Sequence, residues 1–179
     1  MNKSVYETPE KISEDQRHIL TILVDNEPGV LAKVIGMFSG RGYNIDSLNV
    51  AEVSDDEHLS RITIVTQGTT EVVNQIEKQL LRIVPVHSVT NLDQEGSAVE
   101  AEVALVYIPY NSDKKKIFQI CDFYRARKIE NENNSIIFEI AGASDRINRF
   151  IKEINQITKI EIVRSGPVAI LTLKNTKED

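Results

Sequence analysis

The stretch Val24 to Val53 constrains the fold most, because one short helix joins two apolar strands there. A turn, Asn26 to Gly29, follows the first strand. Apolar residues then recur at the spacing i, i+3, i+4 and i+7, which predicts a helix from Val30 to about Ser39. These residues are Leu31, Val34, Ile35 and Phe38. The helix is expected to stop at Gly40-Arg41-Gly42, before a second strand that begins at Asn44.

The turn before this helix predicts a binding site for a small anion. Pro28 stands where a helix tolerates a missing N–H, and Gly29 lets a ligand approach the backbone. The first N–H groups of a helix have no partners within it, and Asn44 is expected to return to the same corner. Such a site suits the carboxylate of a free amino acid. The residues alone also allow a plain turn, with Asn44 tolerating a positive φ.

The first half of the chain predicts strands and helices in the order βαββαβ. The predicted strands are Arg17–Asp25, Asn44–Val53, Ser60–Gln67 and Val84–Leu92. Gly68-Thr69-Thr70 is expected to cap the second helix, whose apolar stripe is Val72, Val73, Ile76, Leu80 and Ile83. A slip in alternation between Ile45 and Leu48 predicts a bulge. This order is typical of a ferredoxin-like antiparallel sheet with two helices on one face.

The second half repeats that order with different residues. The predicted strands are Val103–Ile108, Lys128–Asn131, Ser135–Ala141, Ile160–Arg164 and Val168–Leu173, with helices capped by Ser112 and Ser144. We therefore predict an α+β protein of two tandem ferredoxin-like domains. The expected division is a flexible tail at 1–16, a first domain at 17–93 and a second at 98–174. The polar segment Asp93-Gln94-Glu95-Gly96-Ser97 is the expected linker.

Composition and motifs argue against several classes of function. A formal net charge of −6 disfavours a nucleic-acid or anionic-membrane surface. The three histidines, His18, His58 and His87, are scattered, and no pattern predicts a metal site or a catalytic set. The single cysteine, Cys121, lies on an apolar helical stripe and suits a reducing cytoplasm. RNA-recognition domains share the βαββαβ order, but their aromatic strand motif is missing.

Three ordered segments resemble a known family. They are N-E-P-G-V-L from Asn26, R-G-Y-N-I-D-S-L from Arg41 and L-S-R-I-T-I from Leu59, and I-E-K-Q-L from Ile76 extends the likeness. Together they resemble the ACT domain of the small regulatory subunits of acetolactate synthase (acetohydroxyacid synthase).

The second half is similar to the same family through fewer residues. The matching pieces are S-I-I-F-E-I-A-G from Ser135 and R-S-G from Arg164. Two features depart from the family: Tyr107 stands where a lysine is common, and the final LKNTKED lacks the usual arginine–glycine pair.

The resemblance implies a cytoplasmic, non-catalytic regulatory subunit of branched-chain amino acid biosynthesis. Such a chain binds and activates a catalytic large subunit and confers feedback inhibition by valine. It holds no cofactor or metal, since thiamine diphosphate, magnesium and FAD belong to the catalytic partner. The implied effector site lies across a homodimer of the ACT domain and comprises Asn26, Gly29, Val30, Leu31, Asn44 and Ile45. A free-standing amino-acid-sensing ACT protein without an enzyme partner is the alternative.

Overall fold

The computed structural model describes residues 15–54, 56, 58–94, 98–109, 113–130 and 135–172. In the first half the elements are β1 (Gln16–Asp25), α1 (Val30–Ser39), β2 (Ser47–Ser54), β3 (Leu59–Gly68), α2 (Thr70–Leu80) and β4 (Val86–Asn91). In the second half they are β5 (Ala98–Pro109), α3 (Lys114–Phe123), β6 (Arg127–Glu130), β7 (Ser135–Gly142), α4 (Ser144–Asn155), β8 (Glu161–Arg164) and β9 (Val168–Leu171). The expected tail up to residue 14 and linker residues 95–97 lie outside the described residues.

The first half forms an antiparallel sheet in the order β2-β3-β1-β4. The apolar stripes of α1 and α2 pack on one face of this sheet. The core between the helices and the sheet consists of buried residues from both: Leu20, Ile22, Val24, Val34, Phe38, Ile62, Ile64, Val73, Ile76 and Leu80. The predicted ferredoxin-like arrangement is confirmed, and the helix bounds of α1 agree with the spacing of its apolar residues.

Two details of the first half differ from expectation. Strand β2 begins at Ser47 rather than Asn44, because its ladder with β3 starts at the pair Ser47 and Val65. The register shift lies between Glu52 and Ser54, so the predicted bulge position was wrong. The expected cap of α2 is confirmed, since the Thr69 hydroxyl accepts a hydrogen bond from the N–H of Val72 at 3.4 Å.

The second half forms a sheet in the order β6-β7-β5-β8. Asp113 caps α3, accepting from the N–H of Lys116 at 3.4 Å, whereas the predicted cap Ser112 lies outside the described residues. The prediction that Ser144 caps α4 was wrong. Ser144 is the first helical residue, and its N–H donates to a Glu100 carboxylate oxygen at 3.3 Å. A carboxylate from a neighbouring strand thus replaces the local cap.

The last strand joins the two halves in a way that the sequence did not indicate. Strand β9 pairs with the first residues of β5, from Ala98 to Ala101. Its side chains Ala169 and Leu171 pack on the helix-free face of the first sheet, against a buried cluster of Ile19, Val65 and Leu92. The C-terminal strand therefore covers part of the N-terminal sheet.

One ion pair reinforces this junction, and a second lies beside it within the second half. A guanidinium nitrogen of Arg17 lies 2.7 Å from a carboxylate oxygen of Glu100. Arg164 pairs with Glu102, whose side chain is only 2% exposed. The domain bounds at 93 and 98 stay predictions, but the ion pair of Arg17 and Glu100 joins residues on both sides of them. None of the helices in the described part of the chain is long and apolar enough to cross a membrane.

Candidate functional site

The start of α1 presents two backbone donors without acceptors. The N–H of Val30 donates to Glu27 O at 3.4 Å, and the N–H of Lys33 donates to Gly29 O at 3.1 Å. Within the described residues, no acceptor meets the N–H groups of Leu31 and Ala32. These groups carry the partial positive charge of the helix N-terminus, so they are suited to bind a carboxylate.

Gly29 leaves room above these donors. It is the N-cap residue of α1, with φ 89°, and no heavy atom lies within 4 Å of the position that a Cβ would occupy. A positive φ of this size is adopted readily only by glycine. Gly29 therefore keeps the helix start open while giving the turn its shape.

Hydrogen bonds with neighbouring segments brace the turn. The N–H of Asn26 donates to His58 O at 2.6 Å, and His87 Nε2 lies 2.5 Å from Asp25 Oδ1. Lys33 Nζ, one turn into the helix, donates to Val84 O at 3.0 Å. The donors at the helix start are thus held on a fixed frame.

The three apolar residues of the predicted site have different surroundings. Val30 is only 3% exposed and belongs to the core beneath α1. Leu31 and Ile45 are half-buried and pack against the edge of the same core. Leu31 and Ile45 can therefore offer aliphatic contacts to a ligand, whereas the Val30 side chain packs in the core.

Asn44 is exposed and held by two neighbours, Asp46 and Thr66. Its side-chain amide donates to Asp46 Oδ1 at 2.6 Å, and the Thr66 hydroxyl donates to its backbone carbonyl at 2.6 Å. Gln67 Nε2 holds the other oxygen of Asp46 at 2.9 Å. With one amide N–H donating to Asp46, the Asn44 side chain still offers its carbonyl Oδ1 as an acceptor. Sequence reasoning missed Asp46, although an Asp two residues after an Asn is a recognised local pairing.

Within one chain, Asn44 and the turn lie at opposite ends of the sheet. Strand pairing places Asp25 opposite Leu59, whereas Ser47 is opposite Val65. Thr66, the hydrogen-bond partner of Asn44, lies seven positions beyond Leu59 on β3, which is a distance of about 24 Å. The expectation that Asn44 returns to the same corner was wrong. The physical reason is that α1 runs back along the sheet, so β2 starts at the far end.

The described residues show no group of metal ligands and no reactive thiol. Groups of three or more His, Cys, Asp or Glu side chains able to hold a metal are absent from the part of the chain that the structure describes. Cys121 is buried, and burial together with the Asp122 charge raises the pKa of its thiol to about 12. A thiol with so high a pKa is not a nucleophile at neutral pH.

Both halves of the chain match models of one family. Residues 20–88 match the family described as AHAS small subunit-like ACT domain. Residues 101–172 match the family described as small subunit of acetolactate synthase. The chain belongs to the acetolactate synthase small-subunit family. The resemblance seen in the sequence is thereby confirmed for each half.

Relatives within the small-subunit family cover nearly the whole chain. An acetolactate synthase isozyme 3 small subunit from Salmonella typhimurium is 41% identical over 156 residues, which are 86% of this chain and 94% of the relative. Its counterpart from Escherichia coli is 42% identical over 158 residues, with the same coverage of both chains. The crystal structure of an acetolactate synthase small subunit from Thermotoga maritima is 36% identical, with a TM-score of 0.78. That comparison covers 89% of this chain and 99% of the other.

Proposed function

We propose that this chain is the regulatory subunit of an acetolactate synthase. It binds a catalytic subunit that depends on thiamine diphosphate, magnesium and FAD, raises its activity and transmits feedback inhibition by valine in the cytoplasm. The observation that carries the proposal is the match of both halves to the small-subunit family. The two free N–H groups at the start of α1 supply the chemistry for an amino-acid effector.

The effector site requires two copies of the chain. Strand β2 is an edge of the first sheet, and its Val50 and Val53 are 44% and 46% exposed. An unpaired edge strand readily pairs with the same strand of a second copy. Antiparallel pairing of two β2 strands would set the Asn44 end of one copy beside the Gly29 end of its partner. The two ends, which lie far apart within one chain, would thus be adjacent between the two chains of the dimer.

In this arrangement each group of valine has a partner. Its carboxylate accepts from the N–H groups of Leu31 and Ala32, and its ammonium donates to Asn44 Oδ1 of the other copy. The aliphatic side chain contacts Leu31 and Ile45. Such a pocket discriminates between branched-chain amino acids by about 1–3 kcal/mol per methylene.

Strand β2 also contacts the C-terminal half. Asn49 Nδ2 donates to Pro167 O at 3.0 Å, and a Cβ on Gly166 would collide with Ser47 Oγ. Ser47 and Asn49 lie just beyond Asn44 along the chain. A change in β2 on effector binding is therefore coupled to the C-terminal half, and the coupling acts equally in both directions.

Reconstitution tests the proposal. The pure chain is expected to form no acetolactate from pyruvate, to co-purify with its catalytic subunit and to stimulate it several-fold. Valine should then inhibit the mixture more strongly than it inhibits the catalytic subunit alone. Acetolactate formation by the pure chain would refute the regulatory role, and failure to co-purify with a catalytic subunit, with valine still bound, would favour the free-standing sensor.

Two substitutions test the position of the effector. Gly29→Asp places a carboxylate beside the N–H groups of Leu31 and Ala32, and Asn44→Ala removes the acceptor for the ammonium. The loss of one such partner costs about 1–3 kcal/mol, so the concentration of valine needed for inhibition should rise about tenfold or more.

Gly29→Asn is the matched control, because it keeps the strained backbone and the size of the side chain without the charge. It should retain more sensitivity to valine than Gly29→Asp does. All three variants should still activate the catalytic subunit, since no buried core residue is changed. If valine inhibits both Gly29→Asp and Asn44→Ala as it does the wild type, the effector binds elsewhere.

A further inference from the structure

Strand β8 lies at an edge of the second sheet and has one side without a neighbouring strand. The sheet order is β6-β7-β5-β8, and β8 pairs with β5 along its whole length, from Glu161 to Arg164. Within the described residues, no strand pairs with the other side of β8. The outer N–H and C=O groups of an edge strand can bind an extended segment of another chain, which then adds a strand to the sheet.

An open groove lies between this edge and helix α4. Its volume is about 730 Å³, which is within the range of about 300–1,000 Å³ that is usual for ligand sites. The α4 residues that line it recur at helical spacing and so lie on one side of the helix. The β8 residues that line it lie two positions apart and so lie on one face of the sheet. We define the β8–α4 groove by Asn148, Ile151, Lys152, Asn155, Ile162 and Arg164.

Two isoleucines give the groove an apolar floor. Ile162 stands opposite Val106, which is fully buried under the helices, so Ile162 lies on the helix side of the sheet. Ile151 is on α4, and both isoleucines pack against the core of the second half while remaining half-buried. The exposed part of these two side chains can therefore contact an apolar side chain of a segment that lies along β8.

The charge of the groove is positive. Arg164 Nη1 donates to Asn148 Oδ1 at 2.7 Å, and its other terminal nitrogen donates to Glu102. These bonds fix the guanidinium in place and use two of its five N–H donors. Lys152 is exposed one turn beyond Asn148, about 6 Å further along α4. None of the described residues that line the groove is acidic, although the whole chain has a net charge of −6. The groove is therefore suited to an acidic partner.

We propose that the β8–α4 groove binds an extended segment of the catalytic subunit, which adds a strand to β8. Ile162 and Arg164 lie two positions apart on one face, so the segment would carry an apolar residue and an acidic residue at the same spacing. The apolar residue contacts Ile162 and Ile151, and the acidic residue accepts hydrogen bonds from Arg164. Lys152 adds a second positive charge on the α4 side. This inference rests on the proposed function, which supplies the partner, and it assigns the contact to the second half of the chain.

Charge reversal at Lys152 tests the groove in the full-length chain. Biolayer interferometry measures the dissociation constant for the purified catalytic subunit. Lys152→Glu sets a carboxylate against the acidic segment and should raise that constant about tenfold. Lys115→Glu is the matched control, because it makes the same change of charge at an exposed residue of α3 outside the groove. It should change the constant about twofold or less. Both variants should keep the circular dichroism spectrum of the wild type, since neither residue is buried.

Hydrogen exchange provides the second measurement, because an added strand protects backbone N–H groups of the strand that it joins. Exchange within Glu161 to Arg164 should slow when the wild-type chain binds the catalytic subunit.

The outcomes separate this inference from the proposed function. If the wild-type chain does not bind the catalytic subunit at all, the proposed function fails and the inference fails with it. If the wild type binds but Lys152→Glu binds as tightly, or if exchange in β8 is unchanged, only the groove assignment is overturned. It is also overturned if Lys152→Glu alters self-association in sedimentation velocity and leaves binding of the catalytic subunit intact, which would assign the groove to a second copy.

Discussion

Replacing Arg164 by Met should reveal how strongly the fold of the second half depends on one buried charge. Arg164 pairs with Glu102, and it also donates to Asn148 Oδ1 at 2.7 Å. The Glu102 side chain is 2% exposed, whereas that of Arg164 is 34% exposed. Methionine keeps much of the aliphatic length but removes the charge. The substitution therefore leaves a carboxylate in the interior without its cation.

The cost follows from burial of the carboxylate. Removing one partner of a buried ion pair destabilises a protein by about 3–5 kcal/mol, because the remaining charge is uncompensated. Partial exposure of Arg164 favours the lower end of that range, about 3 kcal/mol. With a typical urea dependence of about 2 kcal/mol per molar, the unfolding midpoint should fall by about 1.5 M.

Arg17→Met is the matched control for this experiment. Arg17 pairs with Glu100, two residues before Glu102 on β5, but the two side chains are 40% and 22% exposed. An ion pair this open to solvent contributes about 0–1 kcal/mol, so its midpoint should shift by about 0.5 M or less. The double variant Arg164→Met, Glu102→Gln should recover much of the lost stability, because it removes the unpaired carboxylate.

Urea unfolding followed by circular dichroism measures these shifts. Equal midpoints for Arg164→Met and Arg17→Met would refute the reasoning, because removing the cation from the buried Glu102 would then cost no extra stability. Failure of Glu102→Gln to recover stability would show that the loss comes from packing of the Arg164 side chain rather than from charge.

Three further predictions concern the linker, the thiol and an exposed ion pair. Limited proteolysis should cut first within Asp93 to Ser97, and a first cut within Val30 to Phe38 would contradict the domain bounds. The Cys121 thiol, with a pKa of about 12, should resist thiol reagents at pH 8 until the protein unfolds; rapid reaction of folded protein would show that it is accessible. A hydrogen bond from Arg127 holds the pKa of Glu139 below its usual value. The pair therefore stabilises the fold fully at a pH above the usual pKa of glutamate, and this stabilisation is lost as the pH falls through the lowered pKa. Arg127→Met should return the pKa of Glu139 toward its ordinary value in an NMR titration, and an unchanged pKa would exclude Arg127 as the cause.

Local patterns in the sequence determined the elements and the family. The apolar spacing in α1 and α2 reports which side of each helix meets the sheet, since a helix repeats every 3.6 residues wherever it packs. The turn at Gly29 was also predictable, because a glycine before a helix start acts through its own backbone. Local side-chain pairs were less predictable: the sequence indicated Asn44 but not Asp46, and it placed Ser144 as a cap where Glu100 serves instead.

Tertiary structure alone decided which distant residues meet. The placement of β9 on Ile19, Val65 and Leu92 depends on residues far apart in the chain, and no periodic pattern encodes a partner at that distance. The separation between Asn44 and the turn follows from strand register, which the whole sheet sets. Glu102 looks like any charged residue of an alternating strand until Arg164 is brought against it. Residues that are remote in sequence come into contact only when the chain folds.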